Sequence, residues 1–335
     1  MNISLPVGLG TSIGTLPHRD PVAAIQFVLA NQPRLPALPL LPNWSPLERR
    51  VPQAASGIPG VTVLADGSLS IVKGDLEVGA GFVDPAFAGP AYRVLHHFLD
   101  ALATVEGPAK FQIAGPVTLG LALRAAGLAG PVAFALAGEV VCSRIQALLA
   151  LVQARCPGIR PVVFIDEPGL RSLGEAGFPL GSEKALDLVS AALAAVESGG
   201  GTNALRCGGQ ADWAMVLAAG PQILALPASA AVLDVAGTLG RFLDSGGWVA
   251  WGAVPTEGPL GDGVNLLWRH LSGLWCNLVQ AGVDPIKLRT QALLTPVAGL
   301  GRHDEAQAAA LLGLVDRLAE RLYDQATGLR LSMGA

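Results

Sequence analysis

Pro161-Val-Val-Phe-Ile-Asp166-Glu167-Pro168 is the stretch that decides the fold. A short continuous apolar run, closed by two carboxylates and a proline, reads as a strand buried on both faces, as in parallel sheets. Asp166 and Glu167 then fall at the C-terminal end of that strand, where parallel α/β sheets and barrels place their chemistry. Successive side chains of a strand point to opposite faces, so only one of the pair is expected to face a pocket.

Working outward, the same unit recurs. Val7 to Leu16 is a glycine-rich apolar run followed by Pro17-His18-Arg19. Asp20-Pro21 then supplies an N-cap and a first-turn proline for a helix over Val22 to Ala30. Leu35 to Leu41 is a second apolar run, made a poor ladder strand by prolines 36 and 39. Asn43 to Gly60 is loop-like. Val61 to Ala65 and Ser68 to Val72 flank Asp66-Gly67, a dipeptide that favours a type I′ turn, so residues 43–83 are expected to be a loop and β-hairpin inserted into the main fold. Ala109 to Ala114, the opening stretch, Asn203 to Cys207, Gln222 to Leu226, Trp248 to Val254 and Gln291 to Leu294 complete the strand-like runs, each followed by a helical pattern. Eight strand–helix units predict a (β/α)8 TIM barrel, with residues 1–335 as one domain. An open doubly wound sheet with a second domain would carry a compositional linker, and none is visible.

Composition narrows the function. The mean hydropathy of +0.48 is high, but much of it comes from alanine. No window reaches the roughly eighteen uninterrupted apolar residues of a spanning helix. The longest candidate, Pro131 to Ala154, is cut by Glu139, Arg144 and Gln146 and reads as a packed helix. The N-terminus has no cationic segment, which argues against a secretory signal. Cys142, Cys156, Cys207 and Cys276 lie far apart without C-x-x-C spacing, so neither a disulfide framework nor a zinc knuckle is indicated, and a reducing cytoplasm is the expected location. A net charge of −4 without a basic block argues against nucleic acid as a partner.

In a barrel, functional residues should collect at the strand ends. That selects Gly14, Thr15 and His18; Gln112 and Gly115; Asp166 and Glu167; Arg206 and Cys207; and Trp251 and Thr256. Asp166 and Glu167 read as a binding or proton-transfer pair, or as groups capping the next loop and pairing with Arg206. His18 reads as an acid, base or phosphate contact, or as a loop histidine. Arg206 suits a substrate carboxylate, because its donors form a planar fork, or a structural salt bridge. Cys207 is either a ligand or nucleophile, or a small buried hydrophobe. Trp251 either lines a pocket or packs. The Gly8 to Gly14 run has neither phosphate-loop nor dinucleotide spacing.

Six motifs occur in order: Gly10-Thr-Ser-Ile-Gly14-Thr-Leu-Pro17-His18, Gly115-Pro-Val-Thr118, Ile165-Asp-Glu-Pro168, Cys207-Gly-Gly-Gln-Ala-Asp-Trp213, Trp251-Gly-Ala-Val-Pro-Thr256 and Leu294-Thr-Pro-Val-Ala-Gly-Leu-Gly301. Together they resemble the C-terminal catalytic barrel of cobalamin-independent methionine synthase and its stand-alone relatives, in the superfamily shared with uroporphyrinogen decarboxylase. The resemblance covers nearly the whole chain. It implies methyl transfer from 5-methyltetrahydrofolate or a methylcorrinoid to a thiol such as homocysteine, with the thiol activated on zinc. The family's zinc ligands are a His-x-Cys, an acidic residue and a second Cys. The matching positions here read Leu205 or Arg206, Cys207 or Gly208, Pro227, and Ala298. At most one soft ligand remains where a catalytic zinc needs about three, so no metal is expected.

The sequence therefore predicts a methionine-synthase-like methyltransferase barrel without the family zinc. Catalytic candidates are Asp166, Glu167 and His18; the substrate-binding set is Gly14, Thr15, Gln112, Gly115, Asp166, Arg206, Cys207, Trp251 and Thr256. Two alternatives stand beside it. One is a non-catalytic or regulatory binding barrel for an amino acid, folate or corrinoid partner, and the other is a metal-free lyase like the decarboxylase, for which the resemblance implies an arginine cluster near the N-terminus that only Arg19 and Arg49-Arg50 offer. The expected partners are a small-molecule substrate and a methyl donor or corrinoid protein, with no membrane and no nucleic acid.

Overall fold

The computed structural model describes residues 5–76, 79–209, 211–258 and 263–333. In chain order its elements are β1 (Leu9–Gly10), α1 (Pro21–Asn31), α2 (Arg50–Ala55), β2 (Val61–Val63), β3 (Leu69–Ile71), α3 (Arg93–Leu102), β4 (Gly107–Ala114), α4 (Pro116–Ala125), α5 (Gly130–Arg155), β5 (Ile159–Asp166), α6 (Ser182–Ser198) and β6 (Thr202–Arg206). Then follow α7 (Trp213–Ala218), β7 (Ile223–Pro227), α8 (Ala236–Asp244), β8 (Trp248–Val254), α9 (Val264–Gln280), α10 (Pro285–Thr290), β9 (Ala292–Pro296) and α11 (Glu305–Met333).

Seven strands form one parallel sheet in the order β1-β9-β8-β7-β6-β5-β4, curled into a half-barrel. The segment Leu35 to Leu41, expected as the second strand, is not one. Its prolines at 36 and 39 carry no N–H and interrupt the ladder. It nevertheless touches both sheet edges through isolated parallel bridges, Ala37 with Lys110 of β4 and Leu40 with Thr15 beyond β1. Leu38 N donates to Lys110 O, Lys110 N to Pro36 O, Leu40 N to Gly14 O and Leu16 N to Leu40 O.

Two-residue alternation sorts the side chains. The concave face carries Leu9, Val162, Phe164, Ala204, Ile223, Ala225, Trp248, Ala250 and Leu293, a cluster of their own. The intervening positions, among them Val163, Ile165, Leu205, Leu224, Val249 and Leu294, join the larger core beneath the helices. α5 is long and apolar enough to cross a membrane by length and composition, but half of its most apolar stretch is buried inside the fold.

Within residues 43–83, β2 and β3 pair antiparallel, Val61 with Ile71 and Val63 with Leu69. The connecting turn is not type I′. Gly67 has φ +87° but Asp66 has no positive φ, and the Asp66 side chain accepts from the Ser68 N–H and hydroxyl. Nor is the stretch from Asn43 all loop, since it contains α2.

Candidate functional site

Asp166 ends β5, opposite Ala114 of β4 and Arg206 of β6. It shares the parity of Val162 and Phe164, so its side chain enters the concave face, where it is 1% exposed. Arg50 Nη2 lies 2.9 Å from Asp166 Oδ2, and Arg206 Nη1 lies 3.7 Å from Oδ1. Neither carboxylate oxygen has an aligned hydrogen-bond donor among the described residues. A buried carboxylate held by charge alone retains capacity for a donor.

Below it, on β4, Lys110 is 1% exposed. Its Nζ donates to Ile13 O and to Gln112 Oε1, both at 3.1 Å, and sits 4.7 Å from the centre of the Phe164 ring. Burial drives its pKa down to about 7, with Arg206 and Arg50 pushing the same way and Asp166 opposing. Gln112 Nε2 in turn donates to Leu38 O. Gly14 makes room for it, since a Cβ there would lie 2.6 Å from Gln112 Nε2, at φ +120°. The centre of the site is thus one carboxylate, two guanidiniums and one buried amine, with Gln112 between strands.

Lys110 is not among the residues selected from the sequence, and Arg50 enters there only with Arg19 and Arg49, as the arginine cluster that the decarboxylase alternative implies. Lys110 is a lone charge in an apolar strand, two positions before Gln112 and on the same face, and that parity is a readable signal. Arg50 comes from α2, a six-residue helix with a proline in it, which leaves too short a periodic pattern to detect.

Glu167 faces the other way, as alternation requires. Its carboxylate accepts from the N–H groups of Val117 and Thr118, at 2.8 Å each, and from the Thr118 hydroxyl at 2.6 Å. It therefore closes the N-terminus of α4, satisfying donors that the helix itself leaves free. Burial raises its pKa to about 7 against the pull of these three bonds. Gly115 leaves room for this contact: a Cβ there would lie 2.2 Å from Glu167 Oε1.

The remaining candidates disperse. Cys207, next to inward Arg206, turns outward into the helix-covered core and is fully buried, and burial first, then Glu167, pushes its thiol pKa far up. Trp251 also turns outward, stacking edge-on against Trp275 of α9 with ring centres 6.0 Å apart. His18 is buried on Phe27, with Nε2 3.9 Å from Glu305 Oε2, and burial lowers its pKa. Its neighbours are α1 and α11 rather than Asp166. Thr15 and Thr256 line a separate opening of about 540 Å³ with Asn43, Glu257, Arg302 and His303.

Two small cavities flank the central cluster. One of about 30 Å³ is lined by Gln112, Arg50, Tyr92 and Arg144, and one of about 10 Å³ by Ile13, Arg206, Gly208 and Thr295. The resemblance implies zinc, but the residues do not fit it. Cys207 is a buried neutral thiol facing away from the cluster, while Arg206, Pro227 and Ala298 offer no donor atom of the right kind. Among the described residues, no three His, Cys, Asp or Glu side chains gather as a metal would need.

Comparison with family models and with curated proteins yields no match. Among solved structures, a cube-shaped, highly porous protein cage designed by fusing symmetric oligomeric domains is similar over 73% of this chain and 73% of its own, at 14% identity and a TM-score of 0.31, too slight a likeness to bear on fold or function.

Proposed function

We propose that the chain is a (β/α)8 barrel of the methionine-synthase-like branch, with 35–41 as its eighth stave, whose mouth binds a small carboxylate-bearing molecule without a metal. The bridges of Ala37 and Leu40 to opposite sheet edges support the closure. The observation that carries the binding reading is the charge balance around Asp166: one carboxylate faces two guanidiniums and Lys110. Arginine stays charged under all ordinary conditions, so the cluster holds surplus positive charge that an anionic guest would neutralise. An amino acid suits both halves, its carboxylate on Arg50 and Arg206 and its ammonium on the Asp166 oxygens that lack donors.

Calorimetric titration with homocysteine, methionine and simple carboxylic acids tests this. The expected result is binding that weakens about tenfold or more in Arg206→Gln, a loss of at least ~1.4 kcal/mol. Absence of binding by every carboxylate tried would overturn the reading. Methyl transfer to homocysteine is the second reading. It is favoured by the contact between two of the six motifs, Glu167 of the third bonding Val117 and Thr118 of the second. Formation of methionine from a methyl donor and homocysteine would support it over simple binding.

A further inference from the structure

We propose that Lys110 is a nucleophile, its Nζ condensing with the carbonyl of a short 2-oxo acid to form a Schiff base at the barrel mouth while Arg50 and Arg206 hold the acid's carboxylate. The inference rests on the reading of the mouth as a carboxylate site and adds a covalent step to it.

The geometry suits a neutral amine. Lys110 donates to two acceptors, Ile13 O and Gln112 Oε1. Those two bonds use both hydrogens of an uncharged amine and leave its lone pair free, whereas an ammonium's third hydrogen would have only the Phe164 ring face, 4.7 Å from Nζ to its centre. Among the described residues, no carboxylate lies within ion-pair distance of Nζ; Asp166 instead contacts Arg50 and Arg206. A lysine kept for structure alone would be expected to claim that carboxylate. The depressed pKa of about 7 accords with this arrangement. The chain has only four lysines, Lys73, Lys110, Lys184 and Lys287, and otherwise uses arginine. Placing a lysine inside the barrel selects the cation that can lose its proton.

The size of the guest follows from the space. The two cavities beside the cluster, of about 30 and 10 Å³, each admit about one water. Glyoxylate or pyruvate can enter by displacing the Arg50–Asp166 pair, whose arginine side chain is 27% exposed. In the balanced step, the uncharged amine adds to the carbonyl carbon and a proton moves from nitrogen to oxygen. One further proton from solvent then lets the oxygen leave as water. A C=N bond replaces C=O, the product carries the iminium charge, and nothing is oxidised or reduced.

The test uses the intact wild-type chain. It is incubated at pH 7 with glyoxylate or pyruvate, reduced with cyanoborohydride, digested, and the modified lysine located by mass. The other three lysines of the chain serve as internal references in the same digest. Label on Lys110 at least tenfold faster than on Lys184 and Lys287 is the expected result. Label on surface lysines with Lys110 unmodified would overturn the proposal. A thermal-shift measurement with the same acids before reduction separates the two layers of argument. A shift without Lys110 label removes the covalent step and leaves the carboxylate site, and neither shift nor label removes both.

Discussion

Replacing Lys110 with methionine keeps the length and packing of the side chain and deletes its titration, which turns the buried amine into a measurable pH dependence of stability. In the folded chain Lys110 titrates at about 7, against 10.5 when unfolded. Burial is the first cause, Arg206 and Arg50 facing the amine add to it, and Asp166 opposes. Between those two values the unfolded chain carries a proton that the folded chain does not. Unfolding there takes up a proton, so raising the pH stabilises the fold, with a limiting slope of about 1.4 kcal/mol per pH unit. From pH 7 to 9 the gain from this one group is about 2 kcal/mol, or roughly 3 °C in Tm for a chain of this length. Glu48, Glu167 and Cys207 also titrate abnormally, but they do so in both proteins. The informative quantity is therefore the stability of wild type minus that of Lys110→Met, from urea unfolding at a series of pH values. It should rise by about 2 kcal/mol between pH 7 and 9. Parallel profiles would refute the reasoning, because they would mean that Lys110 stays protonated in the folded chain.

Three further perturbations test buried carboxylates in and around the site. Glu167→Ala orphans the donors of Val117 and Thr118 at the start of α4 and should cost about 2–4 kcal/mol in urea unfolding, with Glu167→Gln costing less because one acceptor oxygen survives. Asp166→Asn strips the negative charge from between Arg50 and Arg206 and should cost about 3 kcal/mol or more; because Asp166 holds the Lys110 pKa up, it should also move the Lys110-dependent rise in stability to lower pH. Glu48 is buried, with its pKa raised by that burial from 4.5 to about 8. The folded chain binds the extra proton in that interval, so stability falls as pH climbs through it. Glu48→Gln should flatten this fall and at pH 9 exceed wild type by roughly 2–4 kcal/mol.

Much of this arrangement is legible in the sequence because two-residue periodicity is a strict rule. Once Asp166 is placed inward, Glu167 must face a helix, and Arg206 inward makes Cys207 outward. The expectation that Cys207 and Trp251 line the pocket came from their position at strand ends, and it fails because side-chain parity outweighs proximity to the mouth. The 35–41 run is legible as a poor strand, since prolines remove donors wherever they stand. The contact of Arg50 with Asp166 could not be read, because a short helix with a proline in it leaves no pattern and the contact spans more than a hundred residues of chain. Lys110 is legible in the sequence as a solitary charge in an apolar strand, which burial would leave without water.

The proline-interrupted segment at 36–40 also bears on motion. It is tied to each sheet edge by two backbone bonds, whereas β4 and β5 run in register from Gly107 to Ala114. Local opening takes the least free energy where cross-links are fewest, so the wall of the molecule is weakest along this seam. Two of its bonds belong to the backbone of Lys110, and the Gln112 amide holds Leu38 O. Fluctuation of the seam therefore loosens the groups that enclose the amine, and it opens a path for solvent to Lys110 sideways, between this segment and the edge of β4.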